Sequence, residues 1–322
     1  MSSAGEFDLI ARIRTRVDAA ARRKDVVLGI GDDAALLQPT PGHLLVVATD
    51  TLNEGVHFPA GSTAYDIGWK ALAVNLSDLA AMGATPAWCT LSMALHEAQP
   101  AWVDAFLDGF LALAGMHDVA LVGGDTTRGS LSISVTVVGH VDPQAVLRRD
   151  GARVGDDLWV TGTLGDAAAA LAQWRAGGAI EPDLRLRLDR PTPRVEAGLA
   201  LARIAHACID VSDGLFADVA HLCGASGVAA EIALDALPAS TRLQAMFTDE
   251  TRRVLQMSGG DDYELCFTAA PSRRGEVAEA AQLVGVPVTR AGTIAAGAGV
   301  TAVDARGQPW RPPRAGFDHF NG

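Results

Sequence analysis

Aspartates set beside glycine, serine and threonine are the residues of this 322-residue chain whose types and spacing could do chemistry. They recur as Asp32-Asp33, Thr49-Asp50-Thr51, Asp78, Gly123-Gly124-Asp125-Thr126, Asp210-Val211-Ser212-Asp213-Gly214 and Gly259-Gly260-Asp261-Asp262. Taken singly, each is more simply a turn or helix-cap residue. Asp213, for instance, could favour the start of a helix from Leu215. Two features favour a shared role. Nearly all the acids are Asp, the shorter carboxylate, and several follow apolar runs, where a strand end would present them at the edge of a core. Carboxylates that converge repel one another and need cations. Mg²⁺ binds through a few carboxylates plus substrate phosphates, so the pattern points to metal-nucleotide chemistry.

Gly29-Ile30-Gly31-Asp32-Asp33-Ala34 also matches the dinucleotide fingerprint, with Asp50 near the distance of a ribose-binding acid. That reading fails on context. Pro39, Pro41 and Gly42 leave no room for the required helix. Asp32 and Asp33 would place negative charge where a pyrophosphate should meet bare amides. The chain has neither a Gly-x-x-x-x-Gly-Lys-Ser/Thr loop nor the protein-kinase motif set, so phosphates must be held another way.

Apolar periodicity indicates the elements that must carry these residues. Residues 6–22 predict a helix with Phe7, Ile10, Ile13 and Val17 on one face, ended by the charged turn at 22–25. Apolar runs at 26–30 and 44–48, divided by a Pro-Thr-Pro-Gly turn, predict a pair of strands. A buried helix over 64–82, strands at 88–95 and 131–141, a helix near 100–116 and an apolar run at 119–122 complete the first half. Lys70 follows Asp66 by one turn, which predicts a helix-surface ion pair. The polar stretch from Asp142-Pro143 to Gly155 predicts a boundary, giving domains 1–148 and 149–322. The second half restarts with a strand at 158–161, an alanine-rich helix at 166–176, a Pro-, Asp- and Arg-rich connection, a helix around 194–206 and a strand at 207–211. Gly162-Thr163-Leu164-Gly165-Asp166 reads as a strand-to-helix turn with a capping Asp, although it could approach phosphate. Both halves are mixed α/β without the steady βα repeat of a doubly wound sheet.

Composition bounds the rest. Hydrophobic residues at 49% and charged residues at 20% fit a globular protein with a sizeable core. A net charge of −12, with no block of Lys or Arg, excludes nucleic acid bound through a basic face. Cys89, Cys208, Cys223 and Cys266 form no Cys-x-x-Cys pair, so neither a thiolate zinc site nor a disulfide framework is expected, which suits a reduced cytoplasm. His96, His117, His140, His206, His221 and His319 show no metal-ligand spacing. Neither a secretory signal nor an apolar stretch long enough to span a bilayer is read, so no membrane is expected.

In order and spacing the acidic motifs, together with Gly55-Val56-His57-Phe58, Asn75-Leu76-Ser77-Asp78 and the extension Tyr263-Glu264, resemble those of the thiamine-monophosphate kinase family. That family sits in the aminoimidazole ribonucleotide synthetase superfamily, and the resemblance covers nearly the whole chain. It implies an N-terminal α/β domain whose sheet pairs with a second copy in a homodimer, and a C-terminal α/β domain closing an active-site cleft. It implies a cytoplasmic enzyme that uses ATP and Mg²⁺ to convert thiamine monophosphate to thiamine diphosphate, with K⁺ a candidate further ion. By matching positions, Asp33, Thr49, Asp50, Asp78, Asp125, Asp210 and Asp213 would bind magnesium. Gly124, Asp125, Arg149 and Ser212 would lie against ATP, and His57, Asp261 and Phe317 against thiamine monophosphate.

Three positions depart from the family pattern. Ala48 stands where relatives often carry a hydroxyl, so only its main chain could contribute. Asp261 is one methylene shorter than the common glutamate, and Leu107 replaces an aromatic that some relatives place near the nucleotide. The acceptor phosphate is already largely ionised at neutral pH, its second pKa being about 6, so no general base is required. Catalysis reduces to aligning two anions and neutralising the charge between them. Apart from the resemblance, Arg149 could be a solvated linker residue, His57 an ordinary loop histidine and Trp310 part of the core rather than a ring that stacks on substrate. The rival readings are another synthetase of the superfamily and a non-catalytic acidic metal-binding scaffold. A selenophosphate synthetase would need a reactive Cys or selenocysteine before Cys89. Gly55-Val56-His57-Phe58 and Gly316-Phe317-Asp318-His319-Phe320 disfavour an aminoimidazole ribonucleotide synthetase.

Overall fold

The structure, a computed structural model, describes residues 5–18, 23–314 and 316–317. It divides into two compact units, Met1–Leu79 with Ala84–Pro143, and Ala80–Gly83 with Gln144–Gly322.

The first unit runs through helix α1 (Glu6–Asp18), strands β1 (Val26–Leu28), β2 (Leu36–Leu37) and β3 (Leu44–Asn53), helix α2 (Ala64–Ala81), strand β4 (Thr85–Leu95), helix α3 (Pro100–Met116) and strands β5 (Ala120–Arg128) and β6 (Ser132–Val141). Four strands form a sheet in the order β3-β6-β4-β5. β4 and β5 are parallel, with α3 as their crossover, and the other pairs are antiparallel.

Strand alternation sorts this sheet into two faces. Leu52, Ile133, Val135, Val137, Leu91 and Met93 share a buried face. Helix α2 covers it, and a Cβ on Gly139 would lie 3.2 Å from Leu79. On the other face Val26 and Leu37 of the β1–β2 hairpin pack at one end against Trp88 and Val122. Thr49, Thr51, Thr90 and Asp125 remain exposed on the rest. There Thr49 bonds Thr136 at 2.8 Å and Thr51 bonds Ser134 at 2.7 Å, hydroxyl to hydroxyl. Leu9 and Ile13 of α1 are buried, while Arg12 pairs with Asp104 and Arg16 with Asp108 on α3.

The second unit contains β7 (Asp157–Thr161), α4 (Asp166–Arg175), α5 (Pro182–Asp189), α6 (Val195–Leu201), β8 (Ala207–Val211), α7 (Leu215–Ser226), β9 (Ala229–Ala233), α8 (Thr241–Met246), α9 (Asp249–Ser258), β10 (Glu264–Ala269), α10 (Arg274–Val284), β11 (Val288–Ala295), β12 (Gly299–Val303) and β13 (Pro309–Trp310). Its seven strands are ordered β13-β12-β9-β11-β7-β10-β8. Leu158, Val160, Ile209, Val211, Leu215, Val219, Leu222 and Ile232 build its main core between sheet and α7. Cys208, Cys223 and Cys266 are buried free thiols in this unit, as is Cys89 in the first.

Several sequence expectations need correction. The run at 26–30 does not pair with 44–48: β1 pairs with β2, and β3 pairs with β6. The register from Leu44↔Val141 to Asn53↔Ser132 uses the full length of β3, which a three-residue strand could not match. Asp50 and Asp125 lie inside β3 and β5 rather than past strand ends, because both strands continue beyond their apolar runs. The connection after α4 contains α5, where Glu181 caps the amides of Asp183 and Leu184 ahead of buried Leu184 and Leu188. Lys70 is not on a surface: it is 2% exposed and its Nζ donates to the His57 carbonyl at 2.9 Å. Helix α2 is buried almost all round, so this turn has no solvent face to offer it. The first helix is described as far as Asp18, and residues 19–22 with His319 lie outside the described residues, as does the Phe7 side chain.

Candidate active site

In the second unit, β8 ends in Asp210-Val211 and α7 begins at Leu215, leaving Ser212, Asp213 and Gly214 as the link. Asp213 does not cap the helix; Gly214 occupies the cap with φ +119°, and Asp218 reaches back from the first turn. Its Oδ2 accepts the N–H groups of Ser212 at 3.1 Å, Asp213 at 3.2 Å and Gly214 at 3.1 Å. Burial first, then the charges of Asp210 and Asp213, push the Asp218 carboxyl up to about 8, against the lowering effect of those amides. Asp210 and Asp213 therefore both lie near enough for their charges to act on Asp218. With Asp218 committed to the loop amides, Asp210 and Asp213 are the carboxylates here that fit a hard divalent cation, which would relieve the repulsion. Among the described residues no three His, Cys, Asp or Glu side chains already form a metal cage. Phosphate oxygens and water would have to complete a magnesium shell, which is how that ion is ordinarily held beside nucleotides.

Asp261 and Tyr263 both adopt left-handed backbone, φ +69° and +50°. The Tyr263 hydroxyl donates to Asp261 Oδ1 at 3.1 Å, and Asp261 N–H donates to the Ser212 carbonyl at 2.9 Å. Asp262, between them, is turned inward at 2% exposure and accepts the Gly165 N–H, which commits its carboxyl to the interior. Burial pushes the Asp262 carboxyl well up. Phe317 is 40% exposed, and its N–H donates to the Asp213 carbonyl at 3.0 Å. Trp310 is half-buried against the core of this unit, and Arg149 is exposed with its carbonyl accepting from Ser226 at 2.7 Å. Gly162–Asp166 forms the strand-to-helix turn, although Asp166 bonds the hydroxyls of Thr163 and Ser240 instead of capping backbone.

In the first unit, Asp50 N–H donates to Asn75 Oδ1 at 2.9 Å, and Asn75 is anchored through Nδ2 to the Ala71 carbonyl. Asp78 lies one turn beyond Asn75 on α2, so Asp50 and Asp78 belong to the same side of the sheet. Thr49 and Asp125 share the opposite, exposed face but sit on the outer strands β3 and β5. Two strands intervene, putting roughly 14 Å between them at about 4.8 Å per strand, so a single chain does not bring this pair together. Gly124, with φ +151°, is required where it stands, since a Cβ there would lie 1.8 Å from the Leu91 carbonyl oxygen. Asp33 is exposed, with its N–H bonded to Asp32. Ala48 lies on the Asp50 side of β3, and Leu107 is wholly buried in α3. His57 Nδ1 accepts the Asn53 N–H at 3.0 Å, which leaves the ring proton on Nε2.

Asn75, Asp218, Tyr263 and Glu264 make these contacts without being candidates on residue type and spacing. Glu264 is 0% exposed and accepts from Arg194, Arg187 and Thr161. Asn75, Tyr263 and Glu264 lie inside the Asn75–Asp78 and Gly259–Glu264 motifs, a signal that points to them; for Asp218 the signal is only its place one turn after Gly214.

A family model described as AIR synthase related protein, N-terminal domain, matches residues 31–141, and its C-terminal-domain counterpart matches residues 153–305. A thiamine-monophosphate kinase of Salmonella typhimurium is 44% identical over 321 residues, covering 98% of both chains. The crystal structure of thiamine-monophosphate kinase from Stenotrophomonas maltophilia is similar at TM-score 0.86 and 55% identity, covering 94% of this chain and 97% of that one. AaThiL complexed with AMPPCP and TMP is similar at TM-score 0.77 and 34% identity, covering 98% and 97%.

Proposed function

The chain belongs to the thiamine-monophosphate kinases of the AIR synthase related family, and we propose on that basis that it transfers the γ-phosphoryl group of ATP to thiamine monophosphate, giving ADP and thiamine diphosphate. The observation that carries this reading is the near full-length likeness to kinases of that name, one of them solved with a nucleotide analogue and TMP.

An acceptor phosphate oxygen, ionised at neutral pH, attacks the γ-phosphorus. The bond to the β–γ bridging oxygen breaks and ADP leaves with the electron pair, so no proton need move. His57, its Nδ1 held by the Asn53 amide, donates from Nε2 to the acceptor phosphate. Asp261 faces the cationic thiamine and Phe317 stacks on a ring, a contact of about 0.5–2 kcal/mol. Gly124, Asp125, Arg149 and Ser212 hold ATP. Asp33, Thr49, Asp50, Asp78, Asp125, Asp210 and Asp213 are the residues that would hold Mg²⁺, which when bound supplies charge neutralisation between the two anions. K⁺ is a candidate auxiliary ion.

Residues 1–148 are proposed as the ATP- and magnesium-binding, dimerising domain and 149–322 as the second domain of a cytoplasmic homodimer. Support for sheet pairing comes from β3, a ten-residue outer strand on which Leu45 and Val47 are exposed by 48% and 61%. Among the described residues no helix is long and apolar enough to cross a membrane.

The test mixes purified protein with ATP, Mg²⁺ and thiamine monophosphate and follows ADP and thiamine diphosphate, with free thiamine, aminoimidazole precursors and Asp210→Asn run beside it. One-for-one formation of both products, lost in the variant, is expected. ATP consumption only with another acceptor refutes the substrate, and metal binding without turnover refutes the kinase.

A further inference from the structure

We propose that Asp218 is a positioning residue that locks the Ser212–Gly214 loop, and that this loop holds the nucleotide-side and acceptor-side residues of the second unit in a single frame. The inference rests on the roles proposed above for Ser212, Asp213, Asp261 and Phe317. Three consecutive amides aimed at one point form a nest that would otherwise attract an anion. Here the chain fills it from within: Asp218 Oδ2 accepts all three, and Asp218 is 3% exposed.

With its N–H groups turned toward Asp218, the loop offers its carbonyls to other segments. Ser212 O accepts the Asp261 amide at 2.9 Å, and Asp213 O accepts the Phe317 amide at 3.0 Å. The C-terminal segment is also pinned by Ser258 Oγ, which donates to the Arg314 carbonyl at 2.7 Å. Gly316 lies so close to the loop that a Cβ there would meet Ala217 Cβ at 2.6 Å and Asp213 O at 2.9 Å. The side chains of Ser212 and Asp213 thus share two peptide units with the backbone anchors of Asp261 and Phe317. A loop released from Asp218 displaces both sets together, and in-line transfer tolerates little misalignment.

The test measures KM for Mg·ATP and for thiamine monophosphate, kcat, and amide hydrogen exchange at 212–214, in Asp218→Ala, Asp218→Asn, Gly316→Ala and Phe317→Ala. Asp218→Ala is expected to raise both KM values by about tenfold, the loss of about one ordinary hydrogen bond's worth of loop positioning. It should lower kcat by about a hundredfold and speed exchange of the three amides. Asp218→Asn keeps an acceptor oxygen and should recover most of both constants, whereas Phe317→Ala should raise the acceptor KM alone. A folded Asp218→Ala with unchanged constants and protected amides overturns the proposal, as does Asp218→Asn failing as badly as alanine. Should Asp218→Ala not fold, Gly316→Ala decides: a rise in both KM values supports the shared frame, and a rise for the acceptor alone overturns it. If wild type makes no thiamine diphosphate, the assigned reaction fails; amide exchange and binding of a non-hydrolysable ATP analogue then decide the role of Asp218 by themselves.

Discussion

Replacing Glu264 with alanine should destabilise the second unit more than almost any other single change. The carboxylate is wholly buried and accepts Arg194 Nε and Nη2 at 2.6 Å each, Arg187 Nη2 at 2.8 Å and Thr161 Oγ1 at 2.7 Å. The side chains of Arg194 and Arg187 are 15% and 22% exposed, so solvent screens them poorly once their partner is gone. Removing one side of a buried ion pair costs about 3–5 kcal/mol. For a unit of this size that lowers Tm by roughly 6–20 °C. Thermal unfolding followed by circular dichroism gives the value directly, and Glu264→Gln, which keeps shape and loses charge, should fall between. Burial, the largest influence on Glu264, raises its pKa, but the Arg194 bonds, the two guanidinium charges and Thr161 together hold it below its ordinary value. A lowered carboxylate contributes stability in full above its unfolded pKa of about 4.3 and loses it as pH falls through the folded value. The gap between wild type and Glu264→Ala should therefore stay constant from pH 8 to pH 6 and close only in acid, below about 4. A variant melting within about 2 °C of wild type, or a gap already gone near pH 6, would mean that Glu264 does not hold the two arginines as a buried ion pair.

His57→Ala should raise KM for thiamine monophosphate by about tenfold and leave KM for ATP nearly unchanged, because the group lost is one donor on the acceptor phosphate; steady-state kinetics with each substrate varied checks it. Asn75→Leu strands the Asp50 amide against an apolar side chain and should cost about 1–3 kcal/mol, read by urea unfolding, with a higher Mg²⁺ requirement in the kinase assay. Gly124→Ala forces a Cβ to within 1.8 Å of the Leu91 carbonyl oxygen and should prevent β5 from docking beside β4; a soluble variant with normal Tm would contradict that geometry.

The sequence carried the helices and strands with clear periodicity, such as α2 and α3, and the family motifs, because short acid-and-glycine patterns survive in linear order. Partnership did not survive there. Nothing in the run at 26–30 says that its partner is the dipeptide Leu36–Leu37, since pairing depends on a register set by β3 and β6. Helix α5 was hidden by the charges between Leu184 and Leu188, although Pro182 at its first turn was a legible signal. Asp218 looked like one more polar residue on α7, and its reach back to three amides exists only once the loop is folded. Lys70 misled for the converse reason: spacing suggests an ion pair but cannot tell a solvated helix face from a buried one.

Strand β3 has a consequence for synthesis. Its hydrogen-bonding partner β6 is Ser132–Val141, so β3 leaves the ribosome long before anything can pair with it. At about 5–20 residues per second the delay is on the order of ten seconds, during which Leu44, Leu45 and Val47 are open to other nascent chains. The Thr49-Asp50-Thr51 segment breaks that apolar run with a charge and two hydroxyls, as gatekeeper residues do beside strands prone to aggregate. A substitution of Asp50 chosen to probe catalysis would then also lower the yield of soluble protein, through a chain that has not yet folded rather than through the finished enzyme.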